Sequence, residues 1–169
     1  MNYLMVLLRL IHVVGGAFWA GAALVLFFFV TPAIGANGEA GQKFMGYLMG
    51  KTRLTMVLAS AAGLTILAGA ILFWIDSGGF TSAWLGSGPG IGFSLGALSG
   101  LIAFIAGIMA ARGNTELAAL GQEIQGKPTA AQSTRLVAIQ SRLRITGSIN
   151  AWFLLLAAAL MGMARYFSF

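Results

Sequence analysis

The chain has 169 residues, 59% of them hydrophobic and only 8% charged, with a net charge of +6 and no cysteine. Soluble domains carry about 25% charged residues, so this composition cannot solvate a globule and describes an integral membrane protein. The missing cysteines exclude thiolate metal sites, disulfides and thiol redox chemistry, and the basic residues gather in two connections between apolar segments, a topology signal and not a nucleic-acid surface.

The first apolar segment runs from about residue 3 to 30 and ends at Thr31-Pro32, where proline removes a backbone donor and is expected to stop the helix. It lacks a basic leader and exceeds the roughly 7–15 apolar residues of a secretory signal, so it is expected to remain as a membrane helix. The second segment spans about 54–75 and is closed by Asp76-Ser77-Gly78-Gly79. The third covers about 92–111 and the fourth about 145–166. About 20 apolar residues cross a hydrocarbon core, and no segment alternates with period two as a membrane barrel would. The expected fold is all-α: a four-helix integral membrane bundle, residues 1–169 forming a single transmembrane domain.

The connections set the orientation. The first holds Lys43, Lys51 and Arg53, and the third with its flanks holds Arg112, Lys127, Arg135, Arg142 and Arg144, whereas the second holds no Lys or Arg. Basic connections stay in the cytoplasm, so both termini are expected on the outer side. Phe80 and Trp84 in the second connection suit the outer interface. Before the fourth segment, Leu136, Ile139 and Leu143 recur at helical spacing among basic residues, which predicts an amphipathic cytoplasmic extension. Residues 39–50 repeat this more weakly, with Phe44, Tyr47 and Leu48 on one face.

Glycines thin several faces. Gly92, Gly96 and Gly100 form a strip on the third segment, Gly63 and Gly69 mark the second, and Gly15, Gly16 and Gly21 the first. Such strips let backbones approach closely, either within the bundle or at an oligomer interface, or leave room for a flat ligand. Bulky residues at Gly96 or Gly100 are expected to disrupt packing more than at Gly113, beyond the apolar segment.

His12 is the only imidazole, and it lies inside the first segment. An ionisable residue in hydrocarbon is costly and marks a candidate site. Gly15, Gly16 and Trp19 share its helix face at i+3, i+4 and i+7. Neutral imidazole is a common axial ligand of haem iron, and it also suits the magnesium of a chlorin. The alternative is a histidine hydrogen-bonded to a neighbouring carbonyl or hydroxyl. Arg9, one turn outward, either snorkels to headgroups, pairs with Asp76, or meets an anionic group such as a propionate, and Arg165 could join it. A second axial ligand would come from Met, water, a partner chain or a symmetry mate.

Other polar residues, Asn150, Thr55, Ser60 and Thr65, read as hydrogen-bonding between helices or back to their own helix. The methionine pairs Met45/Met49 and Met161/Met163 are packing residues or soft copper ligands. No phosphate loop, zinc motif or serine nucleophile with a histidine–carboxylate pair is present, and no segment carries an internal Asp or Glu for a proton relay.

Arg9, His12, Trp19 and Gly21, followed by Thr31-Pro32-Ala33, resemble the first helix of small bacterial membrane proteins of the copper-resistance D-type family and the membrane-bound, haem-containing protoporphyrinogen oxidase family. The resemblance covers about 30 residues of the 169. It implies a bacterial inner-membrane location and His12 as a haem ligand. The chain lacks the oxidase pattern's further histidine and second-helix lysine, and also the Met and His cluster of copper export.

Three readings result. The first is a tetrapyrrole-binding protein for electron transfer or porphyrin chemistry, with His12 as metal ligand and Arg9, Gly15, Gly16 and Trp19 around the cofactor. The second is a non-catalytic accessory subunit, a homo-oligomer or part of a larger membrane complex. The third is a permease for copper or a small solute. The topology is directly testable: reporter fusions at Gly38 and Lys127 should report cytoplasmic and a C-terminal fusion should report external. A cytoplasmic C-terminus would mean that the span count is wrong by one.

Overall fold

The computed structural model describes residues 3–124 and 126–168, and these are helical almost throughout. Helix α1 (Tyr3–Val25) passes through a π-helical turn, Leu26–Val30, into α2 (Thr31–Ala36). The remaining helices are α3 (Gly38–Gly50), α4 (Leu54–Asp76), the short α5 (Ser82–Leu85), α6 (Gly88–Glu123) and α7 (Ala130–Met163), with a closing 3₁₀ turn at Ala164–Tyr166. Four helical stretches are long and apolar enough to cross a membrane: Tyr3–Ala36, Leu54–Asp76, Gly88–Glu123 and Ala130–Tyr166.

The local chemistry explains the breaks. The first span does not stop at Thr31-Pro32; it continues to Ala36. Pro32 cannot donate and its ring crowds the carbonyl one turn back. The π turn just upstream widens the helix: the Thr31 amide reaches back to the Leu26 carbonyl, which also accepts from Thr31 Oγ1 at 2.8 Å. Gly38, at φ +52°, then reverses the chain into α3, and Gly41 packs directly on the Ile34 backbone. After α4, buried Ser77 accepts from the Phe80 amide at 2.9 Å, across a turn in which Gly78, Gly79 and Phe80 all have positive φ. Ser87 caps α6, accepting from the Gly90 amide at 3.2 Å. A capping box starts α7: Thr129 Oγ1 accepts from the Gln132 amide at 3.2 Å and Gln132 Oε1 from the Thr129 amide at 2.9 Å.

The helices pack as two antiparallel pairs, α1 with α4 and α6 with α7, joined along a thinner seam. The seam is a cluster to which every one of these four helices contributes: Trp19, Ala62, Ala103 and Leu154. Large apolar residues point outward at helical spacing, such as Leu64, Leu67 and Ile71 on α4 or Leu98, Leu101 and Ile105 on α6. The interior is mostly alanine, glycine and small hydroxyl residues. Lipid gives no hydrophobic drive for burying leucine, so small residues that let backbones touch decide the packing.

The third and fourth spans are longer than their apolar stretches. At 1.5 Å per residue, the 36 residues of α6 and 34 of α7 measure roughly 50 Å, against a hydrocarbon core of about 30 Å. The surplus is a helical hairpin of residues 112–123 and 130–144. The extension expected before the fourth span is therefore helical, but its apolar face is covered by the matching extension of α6. Leu120 (1% exposed) and Ile139 (3%) are buried there, and Leu143 fills the space beside Gly113. Glu116 binds Arg142, and Arg135 lies 3.8 Å from Glu116 and 3.7 Å from Glu123.

The glycine strip behaves unevenly. A Cβ at Gly92 would fall 2.9 Å from the Ala164 backbone, and one at Gly96 2.7 Å from Met161 Cγ, whereas Gly100 has open space. A Cβ at Gly113 would lie 2.8 Å from Leu143 Cδ2, so the expected contrast between Gly100 and Gly113 is reversed. At the far end, Phe73, Trp74, Phe80, Trp84 and Phe93 form an aromatic cluster, with Trp84 stacked on Phe93 at 6.4 Å.

Candidate functional site

His12 lies where α1 crosses α4. Its Nδ1 is 2.9 Å from the Thr65 carbonyl oxygen. A carbonyl only accepts, so Nδ1 carries the proton, and in the neutral ring the lone pair sits on Nε2. Nε2 has no hydrogen-bond partner among the described residues, and it is not sealed in the packing, since the one buried, unpartnered side-chain polar atom found there is Thr65 Oγ1. His12 itself is partly exposed.

The ring fits because residue 69 is glycine. A Cβ at Gly69 would stand 2.7 Å from His12 Cε1 and 2.8 Å from Nδ1, closer than side chains tolerate. Each Cβ in a helix tilts toward the N-terminus, so the side chain at position 69 would overhang the carbonyl of residue 65. Glycine uncovers that carbonyl, whose second lone pair is free to accept from the imidazole. The α6–α7 pair repeats the device: Asn150 Nδ2 donates to the Ala103 carbonyl at 2.7 Å, and a Cβ at Gly107 would lie 3.1 Å from that nitrogen. In both cases the glycine is four residues after the accepting carbonyl.

The other residues expected around a cofactor divide. Gly15 and Gly16 face α4: a Cβ would lie 2.8 Å from Thr65 Oγ1 at Gly15 and 3.3 Å from Thr65 Cγ2 at Gly16. Thr65 thus fills the space that these two glycines leave. Trp19 (7% exposed) is in the core, edge-on to Phe104 at 6.1 Å. Arg9 pairs with Asp76 at 3.6 Å, with both side chains about half exposed. An exposed pair of this kind contributes about 0–1 kcal/mol, a tether that another anion can displace. Arg165 makes no ion pair among the described residues. The residues that sequence reasoning did not assign to the site are the Thr65 carbonyl and Gly69. The only sequence sign of them is the four-residue step from a threonine to a glycine on an apolar helix.

Among the described residues no three His, Cys, Asp or Glu side chains come together. Away from the spans, Lys43 holds the Glu39 carboxyl below its usual range by a hydrogen bond and by its charge, and Glu39 raises Lys43 in return. That link on α3 is present above Glu39's lowered pKa and is lost as pH falls through it.

These features define a multi-span, all-α membrane protein in which one imidazole is oriented by a backbone carbonyl. No family model, curated protein or solved structure matches the chain.

The notch argument is testable by substitution. Gly69→Ala should lower the melting temperature in detergent, because an overpacked contact costs about 1–3 kcal/mol, and Gly107→Ala, where the contact is looser at 3.1 Å, should have a smaller effect. Gly100→Ala, which enters open space, should leave it unchanged or raise it. Equal effects at all three positions would contradict the notches.

Proposed function

We propose that this chain is a four-span protein of the bacterial inner membrane, with both termini outward, that offers His12 Nε2 to the metal of a haem or other tetrapyrrole. The carrying observation is the Nδ1 hydrogen bond to the Thr65 carbonyl with Nε2 left open. Metal-binding histidines commonly anchor the other ring nitrogen this way, which fixes the tautomer and ring orientation. The resemblance of the first helix to haem-containing bacterial proteins supports the same reading, and the basic bias of the first and third connections supports the orientation.

The chain would supply a single imidazole ligand to such a metal. His12 would hold the metal, the Thr65 carbonyl would orient the ring, Gly69 would leave the ring its space, and Arg9 could turn from Asp76 to an acidic substituent. A bound tetrapyrrole would supply electron transfer or porphyrin chemistry. With Gly15, Gly16 and Trp19 engaged in packing, further contacts to the group would come from lipid or from a second copy of the chain.

The same packing favours a second reading, a non-catalytic accessory subunit of a larger complex, in which His12 serves only to join α1 to α4. A permease for copper or a small solute is the third reading, for which the methionine pairs Met45/Met49 and Met161/Met163 are the soft ligands the chain offers.

An absorption spectrum of protein purified from its native membrane separates the readings. The tetrapyrrole reading expects a Soret-type band that His12→Ala removes, because the chain has no other imidazole. Arg9→Ala should weaken retention without abolishing it. A blank spectrum on native material gives the case to the accessory subunit.

A further inference from the structure

The charge pattern at the basic end points to a ligand that is independent of His12. All four carboxylates are engaged: Glu39 with Lys43, Asp76 with Arg9, Glu116 with Arg142 and Arg135, and Glu123 with Arg135. The net charge of +6 therefore resides in Lys51, Arg53, Arg112, Lys127, Arg144 and Arg165, which have no counter-ion among the described residues.

Of these, Arg144 sits in a groove. It stands directly before the apolar stretch of the fourth span, at the expected edge of the hydrocarbon. Ser141 and Ser148 lie three residues before and four after it, on the same helix face. Together with Ile145 and Ile149 they form one face of α7, a shallow groove with no second wall and an open space of about 390 Å³ over it. The residues of α7 that pack on α6 look the other way: Leu143 onto Gly113 and Asn150 onto Ala103. Neither serine hydroxyl has a partner among the described residues, unlike Ser94, Ser99 and Thr146, which each donate to the carbonyl four residues earlier.

We propose that this groove binds an anionic phospholipid. Arg144 takes the phosphate in a charge-assisted contact, Ser141 donates to oxygens of the phosphate or headgroup, Ser148, about 10 Å further along the helix, donates to an ester oxygen of the glycerol backbone, and an acyl chain lies along Ile145 and Ile149. A cation with one free hydroxyl on either side of it along the helix matches a phosphodiester and the ester oxygens next to it, and the apolar floor running into the span matches a lipid tail, which a free anion would not use. On α7, Arg135 and Arg142 are committed to Glu116 and Glu123, so Arg144 is the arginine of this helix left to find its anion outside the chain.

The test is native mass spectrometry of the full chain in detergent, titrated with phosphatidylglycerol, with phosphatidylcholine, and with inorganic phosphate as competitor. The proposal expects phosphatidylglycerol to be retained in preference to phosphatidylcholine and inorganic phosphate not to displace it. Arg144→Gln should weaken retention roughly five- to tenfold, Arg144→Lys should fall between, and Lys127→Gln should leave it unchanged. The double variant Ser141→Ala/Ser148→Ala keeps the charge, should also weaken retention, and carries the test if Arg144→Gln folds poorly. Equal binding of the two lipids, equal loss in the Arg144 and Lys127 variants, or displacement by inorganic phosphate would overturn it.

Discussion

In hydrocarbon a polar side chain has no water to turn to, so it must find its partner in the protein, and in a helical protein the partners in greatest supply are backbone carbonyls. Those carbonyls already accept from the amide four residues on, and side chains shield them. Both helix pairs of this protein meet that constraint in one way. A polar side chain, His12 or Asn150, reaches across to a carbonyl that a glycine four residues later has uncovered. Interhelical hydrogen bonds of this kind average only about 0.6 kcal/mol in membrane proteins. Their main effect is therefore register: each fixes how far one helix slides along the other.

The two contacts differ in what they leave over. Asn150 is buried and its amide is taken up between α6 and α7. His12 uses one ring nitrogen for the contact and keeps the other, near a surface that lipid or another molecule can reach. The same bond that sets the α1–α4 register therefore orients a lone pair. Close packing by Thr65 against Gly15 and Gly16 keeps the ring at the edge of the bundle and not in a cleft. The long hairpin at the basic end is held by ordinary means, buried Leu120 and Ile139 together with the arginine–glutamate contacts, and it stands clear of this chemistry.

Hydropathy made four apolar spans legible, because length and composition alone decide that question. The ends were less legible. Proline predicted a stop at residue 31, but the helix absorbs Pro32 with one wide turn, a relief that no residue pattern announces. The third apolar segment ends at about residue 111, but α6 runs on to Glu123, with Leu143 of the returning helix packed onto Gly113. At the site, His12 and its possible hydrogen bond to a carbonyl were visible, as was the option of pairing Arg9 with Asp76. Which carbonyl, and the need for glycine at position 69, depend on how α1 crosses α4. Trp19 was legible as an aromatic on the histidine's face, but being in the core is a property of the whole bundle.

The central claim is that Thr65 fixes the His12 tautomer, and a chain with one histidine allows an unambiguous measurement. Nitrogen-15 solid-state NMR of the histidine-labelled protein in lipid reads the protonation of each ring nitrogen directly. The account predicts that the neutral form carries its proton on Nδ1 and leaves Nε2 bare, and that Gly69→Ala loses this single tautomer. A proton on Nε2 with Nδ1 bare in the unaltered protein would contradict it, since the Thr65 carbonyl could then accept nothing from the ring.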